Sequence, residues 1–359
     1  MVKIKDCVND IFKAVCFLVF GILLIVHRQN ISEGIRNGLS VSAEVLIPSL
    51  FPFLVFSVLA SQVGFSHHIE NVFRFVTEKI FHLPRKCFSV LLFGFIGGYP
   101  VGARLCRELY QKNLLTEADC RHILSFCVNA GPSFVVTAVG EGIIGSRKAG
   151  FVLLAAVSLA SVITGIMTGV FKEKEIYGKS GNTEKKDFSE ALIYSVSSAT
   201  EAIFSICAWV ILFSAFLSVV DKINLCRELR LLVFSLTEVT TGIKSAAELG
   251  GLPFVAACIS FGGISILFQL LPTIKKCGVK VKTYLFFRIV NSVISYFLTE
   301  IILCFVIISD EVFSYSARLF SNNAPASAAL LIMCALFVRQ IGNQPFLHSA
   351  RKMKFSRYC

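Results

Sequence analysis

The stretch that most limits what this chain can fold into is FGFIGGYPVGARLCREL, residues 93–109. Gly94, Gly97, Gly98, Pro100 and Gly102 crowd into it, and Arg104 follows closely, inside a region otherwise apolar enough for a membrane. Glycine and proline at this density break an ordinary helix. Within a bilayer, the freed backbone groups are tolerated only where protein or a water-filled cavity covers them. The stretch therefore predicts a re-entrant hairpin or interrupted helix lining a site, as in a transporter.

Composition places the rest of the chain in the same setting. Of 359 residues, 55% are hydrophobic and only 16% charged, with a mean hydropathy of +0.73, too apolar for a soluble protein of this size. Spanning helices need about 20 mostly apolar residues. They are expected at 9–27, 38–64, 122–145, 149–171, 191–220, 252–272, 283–308 and 324–342, while 87–109 and 227–250 are interrupted. Pro48 and Pro52 should kink the second span. The first follows Lys3, Lys5 and Asp6 and has no small-residue cleavage site after it, so it reads as a retained span, with a signal peptide as the alternative. The expected fold class is an all-α polytopic membrane protein.

A net charge of +12 could suit nucleic acid, but across a membrane the distribution of Lys and Arg decides. If the two interrupted segments re-enter without crossing, one face carries only Arg28, Arg36, Arg147, Lys148, Lys222, Arg227, Arg230 and Arg318. Twenty-four Lys and Arg lie on the other. That bias puts both termini in the cytoplasm and removes the need for a nucleic-acid partner; counting the segments as full crossings weakens it.

The chain divides into an N-terminal helix and link (1–36, with 28–37 a polar link), a first repeat (37–171), a hydrophilic linker (172–190), a second repeat (191–308), and a C-terminal helix with a basic tail (309–359). The repeat rests on SAEVLIPSLFPFLVFS (42–57) against ATEAIFSICAWVILFS (199–214), where Glu44 matches Glu201, Phe56 matches Phe213 and Ser57 matches Ser214. In each half an interrupted segment follows, then a helix broken by small residues, CVNAGPSF at 127–134 and SFGGISILFQ at 260–269. An odd number of crossings between equivalent points makes the second half inverted. Residues 65–86 space Ile69, Val72, Phe73, Val76 and Ile80 as an amphipathic helix lying on the cytoplasmic surface.

The candidate site residues are those that put polar or conformationally special groups at membrane depth. They are Gly98, Tyr99, Gly102 and Arg104 in the first interrupted segment and Asn129, Gly131 and Ser133 in the first broken helix. The second half adds Glu238, Thr240, Thr241, Gly263 and Ser265. An acid inside an apolar segment costs roughly 2.5–3.5 kcal/mol on insertion scales, so Glu238 should face a partner or a cavity. Arg104 is its expected partner or co-ligand, and Arg288 and Asn291 pose the same question further on. The 13 cysteines show no C-x-x-C pair and the six histidines no ligand spacing, so they read as small apolar and surface residues, with no metal and no cofactor. No paired carboxylates, His cluster or nucleophile motif appears at depth, so no enzyme is expected.

Five motifs in order, IPSLFPFLVFS (47–57), GGYPVGARL (97–105), NAGPSF (129–134), TEVTTG (237–242) and SFGGIS (260–265) followed by Gln269, resemble the sporulation integral membrane proteins of the YlbJ type, in the nucleoside-recognition or Gate superfamily. The chain departs from that pattern at Gly97, where the family has Ser, and at Ile266 and Leu267, where it has polar residues. The resemblance implies a fold similar to concentrative nucleoside transporters, with two re-entrant hairpins and paired broken helices around a midplane site. It also implies transport of dipicolinic acid across the outer forespore membrane. An arginine and helix N-termini would suit that small aromatic dianion. Other readings are a nucleoside-like or other metabolite permease and a non-transporting spore-maturation scaffold. A coupling cation and a homo-oligomer remain open alongside the lipid bilayer as partners.

Overall fold

The computed structural model describes residues 14–15, 18, 21–63, 70–170, 187–223 and 225–306. The expected span at 324–342 and the basic tail lie outside them, as does most of the linker. Among the described residues all regular structure is helical. Five helical segments, Arg28–Gln62, Arg147–Val170, Phe188–Val220, Val239–Lys276 and Val281–Phe305, are long and apolar enough to cross a membrane.

Arg28–Val41 (α1) continues through a π-helical turn, Ser42–Leu46, into α2 (Ile47–Gln62). The polar link expected at 28–37 is therefore helix. Its residues can be helical because Gly34 and Gly38, one turn apart, let α1 lie directly on Phe188–Val220 (α7). A Cβ on Gly34 would stand 2.6 Å from the Ser214 carbonyl. The π turn sits just before Pro48, where the wider backbone relieves the loss of a proline N–H. α7 begins at Asp187, whose side chain accepts from Ser189 N, so the linker ends three residues earlier than expected.

The first interrupted segment is a hairpin of two short helices, α3 (Cys87–Gly97) and α4 (Tyr99–Gln111), joined at Gly98. At 1.5 Å per residue the 11 residues of α3 reach about 16 Å, half a hydrocarbon core of about 30 Å. The arms touch where Gly94 meets Gly102. Then α5 (Glu117–Phe126) stops, residues 127–131 run without helix, and a π-helical segment (Ser133–Ile144) resumes after Pro132. α6 (Arg147–Val170) completes the half.

The second half repeats that order after α7. α8 (Arg227–Thr237) and the first part of α9 (Val239–Phe261) form a hairpin around Glu238, and the Arg227–Glu248 ion pair (3.4 Å) closes its base. Gly250 and Gly251 leave helical geometry and separate this arm from the rest of α9. That remainder breaks at Gly262 and continues as α10 (Gly263–Lys276), and α11 (Val281–Phe305) follows.

The hairpins enter from opposite ends. α10 runs away from the second hairpin's tip toward Gly278, which packs on Glu117, just after the base of the first hairpin. At that same end Gly169 of α6 packs on Phe81 and His82, so Arg85, Lys86, Lys112, Lys275, Lys276 and Lys280 gather there. α6, α7 and α11 turn Phe151, Phe204, Phe216, Phe286 and Phe297 outward, a surface suited to lipid. Exposed Val72 and Phe75 in the short helical run after Glu70 present the same kind of face.

This arrangement makes a topological prediction. Single cysteines replacing Lys280 and Lys148, both exposed, should react with a membrane-impermeant maleimide from opposite sides, Lys280→Cys only from the cytoplasm. Labelling of both from one side would overturn the assigned orientation.

Candidate functional site

Each hairpin tip meets the helix break of its own half. Gly98 adopts φ +85, and a Cβ there would stand 3.1 Å from Gly131 N in the first break. At the second tip Glu238 is extended and caps α9. Its Oε1 accepts from Thr240 N (3.0 Å), and its Oε2 accepts from Thr241 N (2.6 Å) and the Thr241 hydroxyl (2.9 Å). A carboxylate so placed is favoured by the helix dipole. Gly263 of the second break lies against the Thr237 carbonyl and Val239.

α11 fastens the two breaks to each other. Arg288, 1% exposed, donates to the carbonyls of Val128 and Ser260, to the Phe261 carbonyl (3.4 Å) and to Asn129 Oδ1 (3.4 Å). Those carbonyls lie at or just past the C-terminal ends of α5 and α9, where helix dipoles favour a cation. One turn on, Asn291 donates to the Ser125 carbonyl (3.2 Å) and accepts from Thr164 (2.8 Å), while Ser292 donates to the Ala257 carbonyl (2.8 Å). Tyr99 donates to the Ile259 carbonyl, and its ring centroid lies 5.8 Å from the Arg288 guanidinium.

Between tips and breaks lies a narrow cavity, whose space is about 530 Å³ only when its open mouth is counted. Leu46, Leu50, Leu54, Ile206 and Val210 wall one side, from α2, the turn before it and α7. The other side is built from helix beginnings. Gly98–Pro100 open α4, Gly131 and Phe134 bracket the start of the π-helical segment, Glu238–Thr240 open α9, and Ser265, Ile266 and Gln269 lie in the first turns of α10. Four helix N-termini thus border one space. Ser265 Oγ is buried there without a hydrogen-bond partner, so it is available to a solute.

Of the twelve residues singled out in the sequence, Gly98, Tyr99, Gly131, Glu238, Thr240 and Ser265 border this cavity. Asn129 and Ser133 are buried behind it, and the Asn129 amide donates to the Phe126 carbonyl (2.6 Å). Thr241 serves the α9 cap. Gly102 and Gly263 are close-packing positions rather than lining ones. Arg104 differs most from expectation, because it does not meet Glu238. It pairs with Glu108 (3.5 Å) and Glu201 (3.6 Å) and donates to the Ser198 carbonyl (3.1 Å). Its place is more than one helical turn beyond the tip, on the α7 side of α4. The apolar wall lies in the two segments matched as a repeat, 42–57 and 199–214, but nothing in them marked these residues as lining. Gln269, a polar residue within an apolar helix, carried one that its role in a motif obscured.

Paired hairpins, paired broken helices and a cavity between them define an all-α polytopic membrane protein. The chain is similar to the sporulation integral membrane protein YlbJ of Bacillus subtilis (strain 168), at 25% identity over 329 residues, covering 80% of this chain and 81% of that protein. No protein-family model matches the chain, and no solved structure does.

Proposed function

We propose that this chain is a membrane transporter of a small organic anion, with dipicolinic acid, moved across the outer forespore membrane during sporulation, as the substrate. The observation that carries the reading is the convergence of helix N-termini on the cavity. Each such end carries about half a positive charge, although Pro100 and Pro132 remove an N–H at two of them. Glu238 occupies the one at α9, which leaves three for a solute. Ser265 and Gln269 add neutral donors, and Tyr99 and Phe134 flank a space suited to an aromatic ring. The cavity lining contains no Lys or Arg, so Arg288, behind Tyr99, is the nearest buried cation among the described residues. The ionised carboxylate of Glu238 would oppose an anion. A proton or coupling cation at Glu238 is therefore part of the proposal. The relative's sporulation name supports the setting.

The apolar wall and the lone carboxylate also favour a second reading, a permease for a neutral nucleoside-like metabolite. Initial uptake of labelled dipicolinate and of a neutral nucleoside, by cells carrying the protein, separates the two. Dipicolinate uptake is expected to saturate; saturable nucleoside uptake without it would reverse the assignment. A strain lacking the protein should form spores without dipicolinate while its mother cells still make it.

Glu238→Gln keeps an acceptor for the α9 cap and removes the charge. Losing a charge-assisted contact of roughly 1.5–3 kcal/mol should weaken concentrative uptake about tenfold or more, while exchange of internal for external substrate continues. Unchanged concentrative uptake would reduce Glu238 to a helix cap.

A further inference from the structure

Cys106 lies in the second arm of the first hairpin, Cys120 in the first turn of α5, and Cys277 at the C-cap of α10. All three are buried, and their Sγ atoms lie within 4.8 Å of one another. Among the described residues no other three His, Cys, Asp or Glu side chains bring ligand atoms together in this way.

A single buried cysteine packs as a small apolar residue, and each of these alone would be read so. Here three elements distant in sequence bring their sulfurs, not merely their carbons, to one point. Thiolates bind a metal at about 2.3 Å, which sets neighbouring sulfurs roughly 3.8 Å apart around a tetrahedral ion. Shifts of about 1 Å or less would close the set on an ion. Sulfur donors select soft cations over Mg²⁺ or Ca²⁺.

We propose that Cys106, Cys120 and Cys277 form a three-thiolate site for a soft d10 cation, zinc(II) or copper(I), which ties the first half to the end of the second broken helix. Three S–H bonds are exchanged for three S–metal bonds, three protons go to water, and no electron moves. The filled site carries a net negative charge. Arg107 offsets it, since its charge reaches Cys277 and its buried Nε has no hydrogen-bond partner. α4 and α10 border the cavity at their beginnings, so an ion held by the middle of α4 and the C-cap of α10 fixes two of its walls. The site stands apart from the transport reading, which needs no metal.

The test uses the full chain purified in detergent, reduced and stripped with a chelator. One sample is dialysed against Zn²⁺ and another, without oxygen, against Cu(I) held by glutathione. Elemental analysis should find about one ion per chain in one of the two arms, which identifies the metal. In mild denaturant that lets Cys106, Cys120 and Cys277 react in the stripped sample, the same three should resist alkylation in the loaded sample, read by peptide mass spectrometry, while exposed Cys226 and Cys304 react in both. Cys277→Ser should lose the ion, with affinity falling by more than the roughly 10–100-fold typical of outer-shell changes, and Cys226→Ser should keep it. Because the protection pattern is read on the parent chain, the proposal stays testable even if a variant fails to fold. No retained ion in either arm overturns it, as does equal retention by Cys277→Ser or a disulfide between two of the three that forms in place of metal uptake.

Discussion

Arg288→Ala is expected to unfold the centre of the protein rather than trim its surface. The substitution leaves the Val128, Ser260 and Phe261 carbonyls buried without their donor, at roughly 1–3 kcal/mol for each. It also removes the positive charge that faces two helix C-termini. At roughly 2–4 °C per kcal/mol, the unfolding temperature in detergent should fall by about 5–10 °C or more, with uptake lost. Arg288→Lys should fall between, because one ammonium cannot span carbonyls from both breaks as a planar fork does. An Ala variant that unfolds at the parent temperature and transports normally would show that the two breaks hold without this residue.

Gly102→Leu should be nearly as damaging, for a steric reason. A Cβ at this position would stand 2.7 Å from the Cys127 carbonyl and 3.2 Å from Gly94 Cα, both backbone atoms that cannot swing aside. Even Gly102→Ala should cost about 1–3 kcal/mol, in the range of overpacked cores. The leucine should force the hairpin arms apart and move Tyr99 away from the cavity, abolishing uptake while the protein still inserts. Insertion is read by membrane fractionation and function by uptake at matched abundance. Transport at parental rate by the leucine variant would mean that the arms do not pack as described.

The two hairpins and two breaks could be read from the sequence because Gly, Pro, Glu and Asn at membrane depth have few acceptable environments. Gly98, Glu238 and Gly263 each mark a tip or break that the structure places at the end of a helix. What could not be read was anything decided by partners distant in the chain. The acceptors of Arg288 are carbonyls that exist as free groups only because α5 and α9 break, and one of them lies 160 positions away. Arg104 follows the tip in sequence, yet a turn and a half of helix carries it to Glu201 on α7. The three clustered cysteines have no spacing because their meeting depends on α10 ending beside α5. Residues 28–37 looked like a link from their polarity, and it is the groove-forming pair Gly34 and Gly38 that seats them as helix on α7.

A single guanidinium grips both breaks, and Asn291 and Tyr99 add further ties between the halves beside it. A sliding of one break past the other by more than a hydrogen bond's tolerance would release that grip. The crossing point thus holds the two breaks in register, and on the transport reading proposed above, opening of the cavity falls to the parts that do not hang on Arg288. Those are the outer arms of the hairpins and the long α1–α2 and α7 pair, whose contact runs over glycines and small side chains that can slip.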